Sequence, residues 1–117
     1  MENENNPYLE NSDLWADWQA FGVTEDTVLE IDFAFITKTQ ESAREFTNFL
    51  NQSGYRADFK EYKIYKQTYG EEMWDITLQM KQTWTVEKLD QQAKEFQRMA
   101  EDYNCTIDGI GAMLPQD

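Results

Sequence analysis

The sequence predicts an α+β sandwich. Four strands form an antiparallel sheet, two long helices cover one face, and a short extra helix precedes them. Three observations carry that expectation. Leu29, Ile31, Phe33 and Phe35 alternate strictly with Glu30, Asp32 and Ala34, the pattern of a half-buried strand. Thr85 to Tyr103 carries one apolar helical stripe. That helix runs straight into Thr106-Ile107-Asp108-Gly109-Ile110-Gly111, a short strand broken by two glycines.

The elements follow in chain order. Residues 1–10 are polar and acidic and are expected to be disordered, leaving a single domain over 11–117. Asn11 or Ser12 can cap a short helix bearing Leu14, Trp15, Trp18 and Phe21, with Gly22 as its stop. Its three large aromatics must pack on something. After the first strand, Thr37 or Thr39 caps a helix in which Ala43, Phe46, Phe49 and Leu50 recur at helical spacing, and Gly54 ends it. Tyr55 to Tyr65 reads as the second strand. Ala57 and Phe59 have the opposite parity to Tyr62 and Ile64, which predicts a bulge near Lys60-Glu61. Gln67-Thr68-Tyr69-Gly70-Glu71 then forms the turn of a hairpin. In the third strand, Met73 to Thr83, Trp74, Ile76, Leu78 and Met80 alternate with Asp75, Thr77, Gln79 and Lys81. Thr85 caps the second long helix, whose stripe is Val86, Leu89, Ala93, Phe96, Met99/Ala100 and Tyr103, and the last strand begins near Cys105.

The resulting order, β-α-β-β-α-β, is that of the split βαβ, or ferredoxin-like, sandwich. Right-handed crossovers put both helices on the same face of its sheet. The other face stays open unless the N-terminal helix, a partner or a second subunit covers it.

Composition narrows the function. At 117 residues the chain hides roughly 65% of its unfolded surface, enough for a core without staples, and seventeen aromatics supply large buried area. No apolar run approaches the ~20 residues of a membrane span, and no basic-then-apolar leader is present, so a cytoplasmic protein with no membrane contact is expected. A net charge of −13 disfavours direct nucleic-acid binding, which needs Lys and Arg on phosphates. The acidity is uneven: residues 1–37 hold nine acids and neither Lys nor Arg. That bias serves solubility or steers the protein toward a basic partner.

Chemistry-bearing motifs are scarce. Histidine is absent, which removes the commonest general base and the commonest ligand for zinc, copper or nickel; no catalytic residue, metal or cofactor is expected. Asp32 and Asp75 face away from the helix-covered side and can converge on the open face, but no second feature supports a paired-carboxylate site. No helix follows Gly109 and Gly111, so a phosphate loop fails on context, leaving a bulge or a close backbone approach. Cys105 has no adjacent cation in sequence and reads as a small buried hydrophobe. Arg56, Lys60, Lys63 and Lys66, interleaved with Tyr55, Phe59, Tyr62 and Tyr65, read as edge-strand charges that deter aggregation.

The C-terminal residues Leu89, Phe96, Ala100 and Glu101, followed by Asn104-Cys105-Thr106-Ile107-Asp108-Gly109-Ile110-Gly111, resemble the regulator of ribonuclease E activity B (RraB) family. Its members similarly end a helix in a Tyr-Asp-Gly-Trp-Gly-like strand. Here Ile107 and Ile110 stand where that pattern has aromatics. The earlier pattern is similar too: Phe33, then Ala43, Phe46 and Leu50, then Gly54-Tyr55-Arg56, so the likeness covers about residues 28–114. The resemblance implies a noncatalytic, ferredoxin-like adaptor that inhibits an endoribonuclease by binding protein. Asp32, Asp75, Trp74, Asp108, Gly109 and Gly111 are the expected partner-binding residues, and a homodimer through the open face is a further option. The competing reading is a small-molecule-binding domain, with an aromatic pocket between sheet and N-terminal helix lined by Trp15, Trp18, Trp74 and Trp84.

Overall fold

Leu29, Ile31, Phe33 and Phe35 are buried, while Glu30, Asp32 and Ala34 between them are half-buried, so the alternation does form a strand, β1 (Val28–Thr37). The computed structural model describes residues 11–114 of the chain. The acidic segment 1–10, expected to be disordered, lies outside the described residues. Around β1 the chain builds α1 (Asn11–Ala20), α2 (Gln40–Gln52), β2 (Arg56–Glu61), α3 (Lys63–Tyr69), β3 (Trp74–Thr83), α4 (Val86–Glu101) and β4 (Thr106–Met113). The result is an α+β fold with a four-stranded sheet in the order β2-β3-β1-β4, every neighbouring pair antiparallel.

The apolar residues of β1 meet the helices through aromatic rings. Phe35 packs edge-on to Phe46 of α2 at 5.1 Å and to Phe96 of α4 at 6.1 Å, and Phe33 meets Phe96 at 5.0 Å. Such contacts add about 0.5–1.5 kcal/mol each beyond the area they bury. Both long helices start where threonine stops: Thr39 Oγ1 accepts the Ser42 amide and Thr85 Oγ1 accepts the Lys88 amide, each at 3.1 Å. Each cap contributes about 1 kcal/mol. Thr37, the other candidate for the first cap, is buried instead and donates its hydroxyl to the Asn104 carbonyl at 2.9 Å. At the end of α2, Gly54 takes φ +97° while Tyr55 donates its amide to the Leu50 carbonyl at 3.0 Å, the Schellman closure expected of that glycine. Asn104 does the same for α4, with φ 59° and the Cys105 amide on Ala100.

The second strand is shorter than expected, and the hairpin turn is not there. β2 ends at Glu61 with a continuous register against β3, so there is no bulge at Lys60-Glu61. The chain turns instead into α3. Tyr62, Tyr65 and Tyr69 recur at three and seven residues, a helical face whose rings meet at a tilt, 5.8 and 4.6 Å apart. Gly70, in the left-handed region at φ +73°, ends α3 by donating its amide to Lys66. The Tyr62 amide donates to the Met73 carbonyl at 2.8 Å and closes the excursion. The parity break marks a change of period from two to 3.6, not an inserted strand residue.

Asn11 and Ser12 both lie within α1, which begins where the described residues begin. Asn11 is buried and donates its side-chain amide to Asp90 of α4 at 2.9 Å. Trp15 and Trp18 join the core as an edge-on pair at 6.2 Å. Phe21, beyond the helix end, remains 63% exposed, so two of the three aromatics pack and the third does not. The short helix is thereby fastened to α4.

Candidate functional site

Register defines the face away from α2 and α4. Phe33 and Phe35 point at the helices, so Glu30, Asp32, Ala34 and Ile36 point the other way. Their cross-strand neighbours on β3 are Lys81, Gln79, Thr77 and Asp75, and β3 in turn pairs with Arg56, Asp58 and Lys60 of β2. On the other side Asp32 lies opposite Gly111 and Ala34 opposite Gly109. This face is polar at its β2 side, bare on β4 at Gly109 and Gly111, and carries the exposed Met113 opposite Glu30.

Of the expected partner-binding residues, Asp32, Asp75, Gly109 and Gly111 therefore share one face by register. Asp108 joins them through the bulge. The β1–β4 register shifts between Ala34 and Phe35, with Phe35 opposite Ile107 and Ala34 opposite Gly109, so Asp108 is the extra residue. The bulge lets Ile107 and Ile110, three apart, both pack against the core. The expectation of a bulged terminal strand is met, while that of a close backbone approach is not: a Cβ on Gly109 or Gly111 meets nothing within 4 Å. Trp74 stands apart. It shares the parity of Ile76 and lies beside Phe59 at 6.2 Å, with its indole Nε1 buried and unpaired.

Neither glycine has a positive φ, so nothing inside the chain requires glycine at these two positions. A glycine in a strand interior loses more backbone freedom on folding than alanine does. Gly111→Ala is accordingly expected to stabilise the fold by about 0.4–1 kcal/mol. A denaturant melt checks it; a clear loss of stability would mean that the backbone there does need glycine.

The carboxylates on this face are not equivalent. Asp75 is half-buried, and burial pushes its pKa above 3.8; Lys60 opposes that rise and Asp108 adds to it. Asp75 and Asp108 thus feel each other across the open face. Because the folded value exceeds the unfolded one, the protonated form stabilises the fold, and this contribution is lost as pH rises through the folded value. Asp75→Asn is expected to melt at a higher temperature than the parent at pH 7. That advantage should vanish below pH 3.8. Equal melting temperatures at both pH values would contradict the burial argument. At Asp32, one carboxylate oxygen, Oδ1, is buried without a hydrogen-bond partner.

The remaining candidates are structural. Cys105 is buried, and desolvation raises its thiol to about 11, so it is protonated and unreactive at neutral pH. Trp15, Trp18 and Trp84 are core side chains, and the Trp84 indole donates to the Leu29 carbonyl at 3.1 Å. All three belong to one buried core cluster. Lys63 and Lys66, read as edge-strand charges, lie on α3, where Lys66 reaches Glu61 at 3.7 Å. Among the described residues no group of three or more acidic or cysteine side chains is placed to hold a metal. No helix among them is long and apolar enough to cross a membrane.

One feature was invisible to periodicity. Beneath α3, a cleft of about 450 Å³ lined by Lys60, Glu61, Tyr62, Lys63, Ile64 and Asp75 extends the open face. It exists because the chain leaves the sheet at Glu61, and it leaves Ile64 70% exposed.

A family model described as Regulator of ribonuclease activity B, RraB, matches residues 9–112. The match takes in α1, ahead of the residues whose pattern first showed the likeness. Comparison with curated proteins finds no match.

Proposed function

The chain belongs to the RraB family, regulators of ribonuclease activity, and from that premise we propose that it inhibits an endoribonuclease of the ribonuclease E type without catalysis of its own. It does so in the cytoplasm by binding the enzyme, not the RNA, through the open face of its sheet. The observation that carries this reading is the family match over residues 9–112, which spans β1, β2 and β3 and all but the last residue of β4. Supporting it, the family-like segment Asp108-Gly109-Ile110-Gly111 presents Asp108 and both glycines as exposed residues.

Taken from the other edge, the strand order is β4-β1-β3-β2, and Phe35 touches both α2 and α4. Both facts support a ferredoxin-like sandwich with its two long helices on one face. The net charge of −13 supports a protein target with a basic surface over an RNA target.

The test is cleavage of a short fluorogenic RNA by purified ribonuclease E titrated with this chain. Saturable inhibition that weakens with salt is expected, with no cleavage and no RNA retardation by the chain alone. Undiminished cleavage at saturating chain, or RNA binding by the chain itself, would overturn the reading.

A further inference from the structure

The β1–β4 half of the open face differs from the rest in charge. Glu30 has Lys81 as its cross-strand neighbour and Asp75 has Lys60. Asp32 has none: its neighbours in register are Gly111 on one side and Gln79 on the other. Asp108 sits at the bulge of the edge strand, and no Lys or Arg occurs in β1 or β4. Two carboxylates with no base directly opposite them therefore border a strip of sheet where Gly109 and Gly111 project no side chain.

We propose that this strip is the docking groove for an arginine-bearing segment of the protein partner. One guanidinium lies flat over Gly109 and Gly111 and is bound by Asp32 and Asp108. The inference deepens the ribonuclease reading by naming the chemistry of the contact. Charge complementarity selects a cation, since Asp32 keeps a buried Oδ1 with no partner and its direct cross-strand neighbours, Gly111 and Gln79, carry no charge. Geometry selects arginine over lysine. A planar, weakly hydrated guanidinium can stack on bare backbone and offer paired donors to a carboxylate, which a compact ammonium cannot. The glycines then have a reason that the fold itself does not supply: a Cβ at either would stand in open space inside the groove.

The test has two arms on the full chain. In the first, ¹⁵N-labelled protein is titrated with tetra-arginine, tetralysine and tetraglutamate peptides. Saturable shifts centred on the Asp32, Asp108, Gly109 and Gly111 amides, stronger for arginine than lysine, are expected. Asp32→Asn and Gly111→Val should each weaken that binding about tenfold or more while the circular dichroism stays native. Shifts spread evenly over the acidic surfaces of α2 and α4, or variants that bind as the parent does, would overturn the proposal. So would a dimer by light scattering that Gly111→Val dissociates, because the groove would then hold a second copy. In the second arm both variants enter the ribonuclease assay. Loss of inhibition supports the groove. Full inhibition by both variants overturns it as the ribonuclease contact while leaving the inhibitory function standing. If the parent fails to inhibit but binds tetra-arginine at these residues, the groove stands and its partner is another arginine-rich protein.

Discussion

Phe96→Ala is expected to lower the free energy of unfolding by about 3–5 kcal/mol. Phe96 is fully buried, and its ring lies 5.0 Å from Phe33, 6.1 Å from Phe35 and 5.1 Å from Tyr55. Truncation removes the apolar transfer of one ring and leaves a cavity bordered by three others, which cannot collapse without moving β1. Against a total stability of about 5–15 kcal/mol, that is a large fraction. In a urea melt the midpoint should fall with little change in slope. A loss below 1 kcal/mol would show that α4 does not seat on β1 through this ring.

Trp18→Ala carries the next largest expectation, also about 3–5 kcal/mol. Trp18 is 5% exposed and packs edge-on to Trp15, while Asn11 ties the same helix to Asp90. Fluorescence and circular dichroism should report one coincident transition for parent and variant, because α1 is part of the core. Phe21→Ala, at a site 63% exposed, should stay within about 0.5 kcal/mol and serves as the control. Two separate transitions, or a negligible effect at Trp18, would make α1 an appendage.

Legibility in the sequence followed burial. β1, β3 and the two long helices were readable because one face of each is buried, so the alternation and the stripe are forced by the core. α3 was not, because it buries no residue. Its tyrosines and lysines satisfy a strand period and a helical period equally well over a few positions. The bulge at Asp108 could be inferred from two glycines, but not which residue it would turn outward; that needed the register of β4 on β1. The charge of the open face was visible as composition. The pairing of Lys81 with Glu30 and Lys60 with Asp75, which isolates Asp32, depended on cross-strand order that no local pattern encodes. Trp74 was expected among the partner-binding residues, and parity sets it on the helix side, away from Asp32 and Asp75.

The exposed glycines also bear on the balance between stability and function. If Gly111→Ala stabilises the fold as expected, the glycine there would fit a surface shaped for contact, as proposed, and not for folding.

Mapping the interface tests the proposal that this RraB-family chain meets its ribonuclease through the open sheet face. ¹⁵N-labelled chain would be titrated with unlabelled ribonuclease E and its amide signals followed. Asp32, Thr77, Gln79, Asp108, Gly109 and Gly111 are expected to shift while the exposed faces of α2 and α4 do not. Perturbation confined to α2 and α4, with the open face unchanged, would contradict it.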